Sequence, residues 1–173
     1  GSVNIRAGCL TGTGVINADA GIATGSAYGP AGGGRVAVTL TESGAGFTGY
    51  TNRISAYGTK KSKNLSGGAG TVYLRAGGEG ETEGTLIVDN NNPPIKGATP
   101  LNDVIEGERF GHVVVRNGGR LVIETGKQVV VTGSWTNGAT VEAAGSLVAF
   151  AGSGASLIAG DTAFAGLKCA AAG

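Results

Sequence analysis

The tightest constraint on the fold is a repeat. Three alternating hexapeptides, "RVAVTL" (35–40), "RISAYG" (53–58) and "TVYLRA" (71–76), align without a gap, so that Val36, Ile54 and Val72 are eighteen residues apart. Val38, Ala56 and Leu74 keep the same offset. Strict alternation fits strands whose side chains point in turn to two faces. One face then carries Val36, Val38, Leu40, Ile54, Ala56, Val72, Leu74 and Ala76, and the other carries Arg35, Arg53, Arg75, Tyr57 and Tyr73 among Ser and Thr. "SVNIRA" at the start repeats the scheme with Val3, Ile5 and Ala7. A hairpin meander places strands about 8–12 residues apart. Eighteen fits one coil of a parallel solenoid, in which successive coils stack at equal offsets. The expectation is a column running Val36, Ile54, Val72.

Between the strands lie "GPAGGG", "GAGFTG" and "SGGAG", read as corners that need positive φ. Glycine makes up 35 of 173 residues without a G-X-Y period, which excludes collagen, and 40% apolar content argues against a disordered linker. After Gly111 the beat shortens: "HVVVRNGG", "RLVIETGK" and "QVVVTGSW" repeat every eight residues, with Val113, Leu121 and Val129 equivalent and about three units expected per coil. "ATVEAAG", "SLVAFAG", "SLIAG" and "AGLKC" continue it, and Asn117-Gly118 and Asn137-Gly138 read as turn dipeptides. Residues 89–111, with "NNNPP", break both rhythms and read as an extruded loop or a connector between the two repeat styles. The fold class expected is all-β, a right-handed parallel β-helix forming a single domain over 1–173. It divides into 18-residue coils (1–88), an irregular loop (89–111) and 8-residue repeats (112–173).

A net charge of +1 supplies no field to draw in nucleic acid or an anionic membrane, and no run of eighteen apolar residues exists to span a bilayer. The chain opens without the basic and apolar regions of a signal peptide and contains no methionine, which suggests a processed chain or a piece of a longer one. Cys9 and Cys169 lack a CxxC or histidine partner, so zinc is not expected. They read either as two buried small hydrophobes or, if the ends meet other copies, as an intermolecular contact.

The stretches "GGGRVAVTL", "GFTGYTNRISAYG", "GGAGTVYLRAG" and "GTLIVDNNN", followed by "FGHVVVRNGGRLVIETGKQVVVTGS" and "GDTAFAGLKC", resemble the glycine-rich parallel β-helix regions of very large secreted bacterial surface proteins. The resemblance implies an extracellular or cell-surface location and a structural or adhesin-like role. It brings no catalytic motif.

Some parallel β-helices degrade polysaccharides, and that chemistry has specific residue requirements. A glycosidase needs facing carboxylates, and a calcium-dependent lyase needs clustered acidic oxygens beside a base. Asp19, Asp89, Asp103 and Asp161 do not share the eighteen-residue register. Glu79, Glu81 and Glu83 read as a solvated turn rather than a calcium loop, and His112 reads as structural. The expectation is no enzyme, no catalytic residue, no metal and no cofactor. Tyr57 and Tyr73 are candidate sugar-stacking rings on outward faces; Tyr28, Tyr50 and Trp135 are weaker ones. Lys60, Lys61 and Lys63 are candidate contacts for an anionic glycan, or simply a solubilising loop. Since neither end shows a cap, self-association end to end, or continuation by neighbouring repeats of a longer chain, is expected. In a head-to-tail filament Cys169 of one copy would meet Cys9 of the next. The alternatives to a structural module are a carbohydrate-binding module and a polysaccharide lyase or hydrolase.

Overall fold

A computed structural model describes residues 1–21, 29–62, 65–101 and 108–170. Among these the chain is all-β with mostly parallel pairing, and the one helical turn is the 3₁₀ segment Thr48–Tyr50.

The first half contains β1 (Ser2–Ala7), β2 (Ile16–Asn17), β3 (Arg35–Leu40), β4 (Ile54–Ser55), β5 (Lys60–Ser62), β6 (Leu65–Ser66) and β7 (Thr71–Arg75). Strands β1, β3 and β7 pair in parallel and in register, so Val3, Val36 and Val72 form one column and Ile5, Val38 and Leu74 the next. Strand β4 is not in that sheet. It pairs with β2 through Ile16 and Ile54, forming a separate wall. Val36 and Ile54 belong to one apolar cluster but enter it from two walls, which corrects the expected eighteen-residue column. The stacking period is 33 to 38 residues, and eighteen is half a circuit. A parallel neighbour is reached only by a crossover connection, and here that crossover carries the facing wall.

The second half contains β8 (Thr85–Asp89), β9 (Thr99–Leu101), β10 (Glu108–Phe110), β11 (His112–Arg116), β12 (Arg120–Ile123), β13 (Gln128–Val131), β14 (Trp135–Asn137), β15 (Thr140–Phe150), β16 (Ile158–Gly160) and β17 (Phe164–Cys169). Val113, Leu121 and Val129 lie in three different walls, all buried, as the eight-residue beat requires. Each wall stacks in parallel: β8, β11, β14 and β16 in one; β9, β12 and the start of β15 in the second; β10, β13, the end of β15 and β17 in the third. Strand β15 turns from the second wall to the third at Gly145, whose φ is 69°. The stretch expected as an extruded loop, 89–111, instead contributes β9 to the second wall and β10 to the third. Its Pro93 and Pro94 fall in the corner between β8 and β9, where no ladder hydrogen bond is forfeited.

The two halves meet at an antiparallel joint. Strand β7 pairs with β8 in opposite sense, opposing Val72 to Ile87, Tyr73 to Leu86 and Leu74 to Thr85. Opposed residues in an antiparallel pair project to the same face. Val72 and Ile87 belong to the first apolar cluster, whereas Leu86 and Tyr73 belong to the second, which is built around Val113, Trp135 and Val148. One continuous seven-stranded sheet, β1-β3-β7-β8-β11-β14-β16, therefore carries the first core on one face and the second on the other.

The glycine clusters do something other than turn the chain. Gly33, Gly34, Gly67, Gly68 and Gly70 are absent from the positive-φ positions, although Gly44 in "GAGFTG" is at 80°. A Cβ on Gly67 would lie 1.9 Å from the Ala31 carbonyl oxygen, and one on Gly70 would lie 1.7 Å from that of Gly34. Backbone packs on backbone there, held by Gly33 N–H to Gly68 O (3.0 Å), Gly67 N–H to Thr59 O (3.0 Å) and Gly70 N–H to Ala56 O (2.7 Å). These contacts form a glycine seam.

Candidate functional site

The densest polar cluster grows from the corner after β8. The Asp89 carboxylate is 8% exposed. Its Oδ2 accepts from Arg116 Nε (2.8 Å) and Asn117 Nδ2 (2.9 Å), and its Oδ1 accepts from the Asn91 N–H (2.9 Å). Arg116 Nη2 also donates to Asn52 Oδ1 across to the first half (3.3 Å). Asn90 beside it is 1% exposed; its Oδ1 accepts from Gly58 N–H (2.8 Å), and its Nδ2 donates to Gly67 O (2.9 Å). Asn91, Asn92 and Asn117 take positive φ, which asparagine tolerates, and the two residues ahead of that corner, Asp89 and Asn90, are buried. The cluster is a clasp between the two halves.

Tyr57 borders this clasp. Its N–H donates to Asp19 Oδ1 (2.7 Å), while Ser55 Oγ donates to Asp19 Oδ2 (3.1 Å). Burial pushes the Tyr57 hydroxyl pKa above its ordinary value, Asp89 and Asp19 push it further, and Arg116 partly offsets them. Tyr57 is half-buried. Tyr73, expected to face outward with it, is instead packed in the second core with its ring centroid 6.4 Å from that of Phe110. The outer face of β7 is covered because the second half folds back over it, so no two-ring strip forms.

The remaining candidates separate. Lys60 and Lys61 lie on β5, which pairs antiparallel with β6, while Lys63, Tyr28 and Asp103 lie outside the described residues. Tyr50 is buried and donates to Thr11 O (2.7 Å). Trp135 is fully buried, donates to Thr162 Oγ1 (3.2 Å) and meets Phe164 edge to face. His112 Nδ1 accepts from Ser134 N–H (3.0 Å), a structural use. Glu79 and Glu83 accept from Ala76 and Gly80 N–H groups (both 2.7 Å), closing their own loop. Asn137, read as a turn residue, closes β14: its Oδ1 accepts from the Ala139 N–H two residues on (3.0 Å), while its buried amide donates to the Asp161 carbonyl and to Thr162 Oγ1. Among the described residues no three His, Cys, Asp or Glu side chains gather to hold a metal ion. A groove of about 370 Å³ runs between Ser2, Arg35 and Thr71 on the outer face of the shared sheet and Ala69, Thr99 and Pro100 of the second half. Sequence reasoning missed it, because it arises from the change of face at β7.

Among the described residues, β1 and β16 are the edge strands of the seven-stranded sheet. Cys9 and Cys169 are exposed and unbonded, which corrects the reading of two buried hydrophobes. Six steps of about 4.8 Å separate the end strands of the seven-stranded sheet, roughly 29 Å, whereas a disulfide spans at most about 7 Å between Cα atoms. Val15 (64%) is exposed at one end, and Leu157 (61%), Leu167 (49%) and Ile158 (41%) at the other. No protein-family model, curated protein or solved structure matches this chain.

Proposed function

We propose that this chain is a right-handed parallel β-helix serving as an extracellular structural or adhesive module. In this reading its sides and ends act as contact surfaces and its stacked ladders resist deformation. The observation that carries the reading is the set of apolar columns stacked through parallel walls in each half, Val3–Val36–Val72 in the first and Val113–Trp135–Ile158 and Val129–Val148–Leu167 in the second. Crossover connections between parallel strands of one sheet are overwhelmingly right-handed, which supports the hand. The low charge and the repeat style resembling secreted surface proteins support the location. The carboxylates most suited to chemistry, Asp19 and Asp89, are engaged in backbone and side-chain hydrogen bonds that hold the chain together, which favours structure over turnover. Tyr57 without Tyr73 gives a sugar-binding strip little support.

Single-molecule pulling between the two termini tests the reading. Two abrupt unfolding events are expected, one for each half, because each has its own core. Gradual extension at low force would contradict a load-resisting module.

A further inference from the structure

We infer that Asn117 is a self-modification site: its side chain closes onto the Gly118 nitrogen, loses ammonia, and leaves a carboxylate that loosens the clasp between the two halves. The chain has two Asn-Gly pairs, 117–118 and 137–138, and the fold holds them differently.

Asn137-Gly138 is locked. The Gly138 N–H, whose nitrogen would attack, donates to Val115 O (2.8 Å). The buried Asn137 amide donates to Asp161 O and Thr162 Oγ1, and its Oδ1 accepts from the Ala139 N–H (3.0 Å). All of these bonds must break before the ring can close.

Asn117-Gly118 is held far less. Asn117 is exposed, and among the described residues its side chain makes a single hydrogen bond, from Nδ2 to Asp89 Oδ2 (2.9 Å). Among the same residues the Gly118 N–H has no hydrogen-bond partner. The pair forms the centre of a tight turn, with φ of 49° and 72°, closed by Gly119 N–H to Arg116 O (2.9 Å). Gly118 has no side chain to crowd the closure, but it packs under Pro93, where a Cβ would lie 2.8 Å from Pro93 Cδ. That cover restricts access of base to the N–H, so the rate should rise with pH.

The step balances with water alone. The Gly118 nitrogen gives up its proton and bonds to Asn117 Cγ. The Cγ–Nδ2 bond breaks, and the amide nitrogen takes up a proton and leaves as ammonia. Water then opens the succinimide at either carbonyl, giving an aspartyl or an isoaspartyl linkage. One water is consumed and one ammonia released, with no change of oxidation state.

The consequence falls on Asp89. Its Oδ2 accepts from both Arg116 Nε (2.8 Å) and Asn117 Nδ2. A carboxylate at 117 donates nothing and sets a second negative charge against the same guanidinium. Asp89 is buried, so the repulsion is weakly screened. The isoaspartyl product also lengthens the backbone of a turn that spans only Arg116 to Gly119. Either product strains the Arg116 link to Asn52 in the first half.

Peptide mapping by mass spectrometry, on the folded full chain aged at neutral and alkaline pH, tests the site. Asn117 should convert at least about tenfold faster than Asn137, since fewer hydrogen bonds must open. In urea the two should convert at similar rates. Hydrogen exchange tests the consequence. In Asn117→Asp the N–H groups of Gly58 and Asn91, which donate to Asn90 and Asp89, should exchange about tenfold faster, with that of Trp135 unchanged. Asn117→Gly, which loses the same hydrogen bond without adding a charge, should speed them less. Conversion at Asn137 as fast as at Asn117 in the folded chain, or none at Asn117, would overturn the site. Exchange in Asn117→Asp equal to wild type or to Asn117→Gly would overturn the charge-driven loosening.

Discussion

Replacing Gly70 by alanine tests the glycine seam. Gly70 is buried with ordinary φ, and a Cβ there would lie 1.7 Å from Gly34 O and 2.7 Å from Gly34 C, far inside the 3.0 Å that real Cβ atoms respect. The neighbouring chain must retreat by more than an ångström. That retreat breaks Gly70 N–H to Ala56 O (2.7 Å) and Thr71 N–H to Gly34 O (3.2 Å). Overpacking together with stranded backbone groups should cost about 3–5 kcal/mol, a large share of the stability of a domain this size. Two controls separate this from a turn effect. Gly46→Ala has nothing within 4 Å and no positive φ, so it should be nearly neutral, whereas Gly44→Ala (φ 80°) should cost about 1 kcal/mol from backbone strain alone. Equilibrium urea unfolding reads all three. A loss below about 1 kcal/mol at Gly70, or a loss at Gly44 equal to that at Gly70, would refute close backbone packing as the reason for glycine.

Val38→Asp places an unpaired charge where the side chain is fully buried, costs several kcal/mol, and should abolish the strand signal of the first half in circular dichroism. Because the folded pKa of Tyr57 is raised, its contribution is fully present below the unfolded value of about 10 and is lost as pH rises through the folded value. Stability of the wild type should therefore fall more steeply above pH 10 than that of Tyr57→Phe in parallel urea titrations. Polygalacturonate and alginate should release no unsaturated or reducing ends beyond a heat-killed control, with or without calcium.

The strands themselves were legible. "SVNIRA", "RVAVTL", "TVYLRA" and "HVVVR" alternate cleanly because each has one buried face, and Val113, Leu121 and Val129, eight residues apart, are all buried on separate strands. The period of the first half was not legible. An apolar offset of eighteen is produced equally by residues stacked in one column and by residues facing each other across a core, and Val36 and Ile54 are the second case. The change of face was also hidden, because "GGEGETEG" looks like any other connector. One signal existed: Leu86, Ile87 and Val88 are consecutive apolar residues, the mark of a strand buried on both sides. Read that way, β8 announces a second core, and Tyr73 opposite Leu86 becomes a core residue rather than an exposed ring. The clasp escaped notice because Asp19, Asn52, Tyr57, Asp89 and Arg116 share no spacing; the topology alone gathers them.

The central claim is that one sheet carries two cores on opposite faces, joined antiparallel at β7 and β8. Nuclear Overhauser contacts in the folded chain measure this directly. Cross-strand contacts should link Tyr73 with Leu86 and Val72 with Ile87, and the Tyr73 ring should contact Phe110. A Tyr73 ring that contacts only solvent, or Leu86 and Val72 pointing into a single common core, would contradict it.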